Sequence, residues 1–152
     1  MAYLVVRMKG TVNVPYGANY TLENLNLEKK FRATILPENP QSLGMLRKVK
    51  DLVAWTSADV QIIRELLEKR GRRPGSKPLR DSEPAKGYKN LQQLAEDIAG
   101  ERVAISKLEG IKPWFALSPP RGGFKRKTKT SYAQKGVLGE NSELAEIVKK
   151  MM

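Results

Sequence analysis

Neither cysteine nor histidine occurs anywhere in the chain. Without cysteine there is no disulfide, no thiolate metal site and no thiol nucleophile. Without histidine the usual general base at neutral pH, the commonest metal ligand and every Ser-His or Cys-His pairing are gone. Long apolar runs are missing too. No stretch approaches the roughly 18 apolar residues that span a bilayer, and the run Leu4-Val5-Val6 is too short for a signal segment. The reading is of a soluble, unprocessed chain with no membrane partner and no cofactor. Acid is the other shortage. The 152 residues carry 28 Lys and Arg against 16 Asp and Glu, a formal charge of +12. Residues 29–32, 47–50, 70–80 and 121–139 together hold 17 of the 28 cations and no acid. Charge spread for solubility would not cluster in this way, so the balance implies a polyanionic partner.

The length suits one domain, or a domain with a sub-domain, able to bury roughly two-thirds of its unfolded surface. Residues 3–9 alternate, with Leu4, Val6 and Met8 on one side and Val5, Arg7 and Lys9 on the other, a half-buried strand that Gly10 ends. Residues 10–20 hold Gly10, Asn13, Pro15, Gly17 and Asn19 and read as a loop, after which Thr21 caps a short helix carrying Leu22 and Leu25. Phe31, Ala33 and Ile35 mark a second strand, stopped by Pro37. Pro40 and Ser42 open a helix with Leu43, Leu46, Val49 and Val53 on one side and Arg47, Lys48 and Lys50 elsewhere, and residues 52–56 read as a third strand. The first 56 residues therefore read β-α-β-α-β, an α+β unit with two helices on one face of a sheet. Leu4, Val6, Phe31, Ile35, Leu46 and Val49 are its expected core, facing inward together.

Residues 57–152 read as an extension of this unit. Ser57 caps a helix with Val60, Ile63 and Leu67, and Gly71 stops it. Residues 71–89, with three prolines, three glycines and Arg72, Arg73, Lys77 and Arg80, are either a flexible connector or a second RNA-touching loop. Asn90 introduces a helix through Leu91, Leu94, Ala95 and Ile98, strand-like 102–105 and 114–117 follow, and the end from Ser142 is a helix with acids early and lysines late. Trp55 and Trp114 sit in apolar alternations and read as core residues. Gly44 within a helix costs up to about 1 kcal/mol relative to Ala; close approach to the sheet or to an RNA backbone would account for it.

The stretch 117–129 combines Pro119-Pro120, Gly122-Gly123 and five cations. The prolines remove two backbone donors and prevent the preceding strand from continuing, while the glycines allow positive φ and close approach to a ligand. From 121 to 139 there are six cations and no acid, with Phe124 and Tyr132 as flat surfaces for an unstacked base. A solvated loop is the alternative to a nucleic-acid arm over 118–139. Catalytic chemistry finds no support: Asp51, Asp59, Glu65 and Glu68 have no metal-binding spacing, and no phosphate-binding loop, dinucleotide fingerprint or nucleophile elbow occurs.

Three passages resemble one known family. Residues 4–13, residues 37–55 with Gly44-Met45 in the basic helix, and Trp114-Phe115-Ala116-Leu117-Ser118-Pro119-Pro120-Arg121-Gly122-Gly123 are similar to the universal large-subunit ribosomal protein L-thirty in its longer archaeal form, related to the eukaryotic protein L-seven. The likeness covers nearly the whole chain, but the connector 71–89 has no counterpart in it. It implies a ferredoxin-like unit, a three-stranded antiparallel sheet in order 3-1-2 with two helices on one face, plus a C-terminal α/β extension. It implies no enzyme and no small-molecule substrate. It implies a cytoplasmic role in the large ribosomal subunit, against large-subunit ribosomal RNA near 5S RNA and beside other ribosomal proteins. The candidate RNA contacts are Arg7 and Lys9, then Arg47, Lys48 and Lys50, then Arg121, Gly122, Gly123, Phe124, Lys125, Arg126, Lys127 and Lys129, with Arg72 and Arg73 of the connector added. Two other classes are weaker. An architectural DNA binder needs a recognition helix or wedge residues, which a helix holding Gly44 with one buried face does not offer, and a metal-dependent nuclease needs clustered acids.

Overall fold

The computed structural model describes residues 2–82 and 84–152. The chain begins with β1 (Tyr3–Arg7), α1 (Tyr16–Asn24), β2 (Arg32–Leu36), α2 (Pro40–Lys48) and β3 (Val53–Ser57). β1 pairs antiparallel with both other strands, so that Val5 lies opposite Thr34 on one side and Trp55 on the other. The order is β3-β1-β2, and α1 and α2 share one face, where Leu22, Leu25, Leu46 and Val49 pack on Val5, Val53 and Trp55. This is the ferredoxin-like unit expected.

The rest of the chain supplies α3 (Val60–Arg70), a small hairpin of β4 (Arg72–Arg73) and β5 (Lys77–Pro78), α4 (Leu91–Ala99), a 3-10 turn (Ile105–Lys107), β6 (Phe115–Ala116), β7 (Lys127–Ser131), a second 3-10 turn (Tyr132–Gln134), β8 (Gly136–Glu140) and α5 (Leu144–Met151). β6 adds to β2 antiparallel and β8 adds to β3 parallel, giving one six-stranded sheet in the order β6-β2-β1-β3-β8-β7. α3, α4 and α5 pack on the face that α1 and α2 leave open, burying Leu4, Val6 and Ile35 beneath Ile63, Leu66, Leu94 and Val148. The expected single core is therefore two. Leu4, Val6 and Ile35 belong to one face and Leu46 and Val49 to the other. β1 is not half-buried: Leu4, Val5, Val6 and Arg7 are all fully buried, because the extension roofs the second face.

Several boundaries differ from expectation for local reasons. α1 starts at Tyr16 directly after Pro15, since a proline costs no hydrogen bond where the first-turn N–H groups have no partner. Thr21 lies inside that helix and its hydroxyl donates to the Gly17 carbonyl at 3.0 Å. The cap of α2 is Asn39, whose Oδ1 accepts from the Ser42 N–H at 2.7 Å, and Pro40 takes the first helical position. Asp59, not Ser57, precedes α3. Residues 102–105 form no strand: the edge beside β2 is occupied by β6, and the chain passes instead into the turn at Ile105. Asn141, fully buried, joins three parts. Its N–H donates to the Trp55 carbonyl at 2.9 Å, its Nδ2 donates to the Val137 carbonyl at 3.1 Å, and its Oδ1 accepts from the Glu143 N–H at 2.9 Å.

Leu46 has no exposed surface, so Leu46→Ala is expected to cost about 2–5 kcal/mol. Urea unfolding measures it; a loss under about 0.5 kcal/mol would mean that α2 does not hold this face of the sheet.

Candidate nucleic-acid interface

Three lysines from distant parts of the sequence surround one surface depression of about 630 Å³: Lys9 after β1, Lys30 before β2 and Lys129 in β7. Gly10, Val12 and Leu52 also line it, and no acidic side chain does. Like charges around a concave, partly apolar surface focus the field and attract anions. A few residues away, Arg47, Lys48 and Lys50 are exposed around the C-terminal end of α2, where cations also complement the helix dipole. Lys48 reaches across to α1: its Nζ lies 3.7 Å from where a Cβ on Gly17 would stand. Gly44 is exposed, with nothing within 4 Å of an added Cβ, so close approach to the sheet does not account for it.

Residues 118–139, read as a nucleic-acid arm or a solvated loop, are held to the body at both ends. The Ser118 N–H and hydroxyl both donate to the Met151 carbonyl, at 3.2 and 2.9 Å, and the Arg121 N–H donates to the Lys150 carbonyl at 3.2 Å. Gly122 and Gly123 turn the chain with φ of 80° and 74°, values that favour glycine. Beyond them β7 forms the sheet edge, and β8 buries Val137 and Leu138. Apolar residues at 137–138 beside the open edge of β3 explain why the basic run is tied down. Arg121, Lys125, Lys127 and Lys129 remain exposed along it. Arg126 does not, being paired with Glu143 at 3.0 Å and lying 4.8 Å over the Tyr132 ring.

Arg7 is a correction. Its side chain is fully buried, donating to the carbonyls of Leu27 at 2.7 Å, Lys9 at 3.0 Å and Gly10 at 3.1 Å, so it has no surface to offer a phosphate. Alternation placed it on the face with Lys9, and that face is covered by the end of α1. Phe124 is half-buried and its ring stacks on Phe31 at 6.1 Å, so one side of the expected platform is already occupied. Arg72 is half-buried and donates to the carbonyls of Gly71 and Lys69 at the end of α3; Arg73 is half-buried in the same hairpin. Trp114 is half-exposed rather than core, with the Arg32 guanidinium 3.9 Å and the Lys112 ammonium 5.1 Å from its ring. Reading 10–20 as a loop also missed two exposed tyrosines, Tyr16 and Tyr20, on α1. Their spacing of four residues was the available signal.

Among the described residues no group of acids is placed to hold a metal ion, and no helix is long and apolar enough to cross a membrane. Fold and surface together define a class: a basic α+β protein whose cations gather around an acid-free depression. Residues 3–53, which span β1 through the start of β3, match the family described as Ribosomal protein L30p/L7e. Over 152 aligned residues the chain is 51% identical to "Large ribosomal subunit protein uL30" of Cenarchaeum symbiosum, covering 99% of this chain and 98% of that one. It is 47% identical to the protein of the same name from Nitrosopumilus maritimus, with the same coverage, and 41% identical to that of Staphylothermus marinus over 158 aligned residues. The chain belongs to the L30p/L7e family of ribosomal proteins.

Proposed function

We propose that the protein is a structural, non-enzymatic component of the large ribosomal subunit in the cytoplasm, and that it binds large-subunit ribosomal RNA beside neighbouring ribosomal proteins. The observation that carries the RNA contact is the convergence of Lys9, Lys30 and Lys129 on one acid-free depression. Arg47, Lys48, Lys50, Arg121, Lys125 and Lys127, all exposed, extend the cationic surface. Arg72 and Arg73, half-buried in the β4–β5 hairpin that packs beside α3, are read as a separate contact. Such a surface reads RNA through phosphates and shape rather than base sequence. Position near 5S RNA follows from the likeness of 114–123 to the extension of the longer family members.

The test is binding of the full chain to its own large-subunit ribosomal RNA, with and without 5S RNA, across a series of salt concentrations. Each phosphate contact should add about 0.7–0.9 to the log–log slope. Reversing Arg47, Lys48 and Lys50 to Glu together should flatten that slope. An unchanged slope and affinity would remove α2 from the interface, and 5S RNA that neither alters affinity nor is protected from cleavage would reject the 5S placement.

A further inference from the structure

The exposed large apolar side chains among the described residues fall in one short segment. Val12, Tyr16 and Tyr20 are 83%, 87% and 56% exposed. Tyr16 and Tyr20 lie four residues apart on α1, so their rings share a face one turn apart. The other side of the helix packs Ala18, Leu22 and Leu25 into the core, which leaves the tyrosine pair no role in holding α1 to the sheet. Exposing two aromatic rings in water has no folding benefit, and cations lie beside the same segment of chain. Lys48 extends its ammonium along α1 beside Gly17. Val12 lines the depression that Lys9, Lys30 and Lys129 surround.

We infer that Tyr16 and Tyr20 form a stacking platform for unpaired nucleotides of the bound RNA, with the flanking lysines holding the phosphates on either side. The inference rests on the RNA-binding reading above and adds to it the state of the RNA. A duplex hides its base faces, so flat rings on a convex helix can engage only bases that are already splayed out in a loop or bulge. Stacking explains the pairing of two rings at one-turn spacing. The lysines explain why the occupant is a polyanion rather than an apolar protein surface, since covering the patch with protein would strand Lys9, Lys30 and Lys48 without water or counter-charge.

Tyr16→Ala/Tyr20→Ala, whose side chains are exposed, should unfold like the parent in urea. Its affinity for the chain's own large-subunit ribosomal RNA should fall about five- to a hundred-fold, with the salt slope unchanged within about 0.5, because stacking releases no counterions. Tyr16→Phe/Tyr20→Phe should bind within about two-fold of the parent, as the ring rather than the hydroxyl is used. Irradiating a complex with 5-bromouridine-substituted RNA should attach uridines in unpaired segments to Tyr16 or Tyr20. Undiminished affinity of the Ala variant would overturn the platform and leave the patch to a neighbouring protein. A slope lowered by about one or more would overturn it too, since the loss would then be of phosphate contacts. If the parent itself shows no salt-dependent RNA binding, the underlying reading fails and this one with it.

Discussion

Arg7→Met should lower the unfolding free energy by about 2–4 kcal/mol, a large part of the stability of a domain of this size. The wild-type guanidinium is enclosed and donates to three carbonyls, those of Lys9, Gly10 and Leu27. Hydrogen bonds to a charged donor contribute about 1.5–3 kcal/mol each, and a carbonyl left buried without a partner costs about 1–3 kcal/mol. Methionine keeps the apolar stem and loses every donor. Water can reach the carbonyls of Lys9 and Gly10, which lie nearer the surface, but the Leu27 bond is buried. Against this stands the cost of burying the cation itself, which burial registers by lowering the Arg7 pKa from its ordinary value, and which removal would recover. The bonds outweigh it because all three are made and the one to Leu27 is closed to water. Arg7→Lys should lose almost as much, since one ammonium cannot reach three diverging carbonyls as a guanidinium fork does. The measurement is urea unfolding at constant m; a loss below about 0.5 kcal/mol for Arg7→Met would mean that the burial cost cancels the bonds. Arg7 also fixes the shape of the depression, because two of its acceptors are the carbonyls of Lys9 and Gly10 on the rim. Arg7 thus positions the basic surface without being part of it.

The first unit was legible because its signals are local. Alternation at residues 3–9, a proline stop at 37 and a basic amphipathic helix at 40–50 need no distant information. What the sequence concealed depends on partners far along the chain. Val5 and Trp55 were as apolar as their neighbours on the opposite face, but only the return of α3, α4 and α5 over that face decides that β1 is buried on both sides. The same cause hid the role of Arg7: a cation in an alternating strand looks solvent-facing until the end of α1 closes over it. Residues 118–139 were read as one arm, whereas Val137 and Leu138, two apolar residues in a basic run, carried the signal that its far end enters the sheet. Tyr16 and Tyr20 were missed because proline, glycine and asparagine around them argued for a loop, although Pro15 stands where a helix tolerates it.

Replacing Arg121, Lys125, Lys127 and Lys129 together by Gln should produce the largest loss of RNA affinity with little loss of stability. All four are exposed, on the turn after Pro120, the stretch that follows and β7, so no packing is disturbed. If each meets one phosphate, the salt slope should fall by about 2.8–3.6, which near physiological salt corresponds to as much as about a thousand-fold in affinity. The backbone that carries them is already fixed by Ser118 and Arg121 against the end of α5. Binding therefore does not have to pay for ordering a free tail at about 1–2 kcal/mol per residue, and the effect of the charges should appear undiluted. Arg126→Gln is the internal comparison. Its guanidinium is engaged by Glu143 and Tyr132, so its loss should change the slope by well under one contact. Filter binding over a salt series would separate the two variants. A fourfold variant whose slope falls by less than about one, with affinity retained, would place the RNA elsewhere on the protein and leave this run as a solvated edge of the sheet.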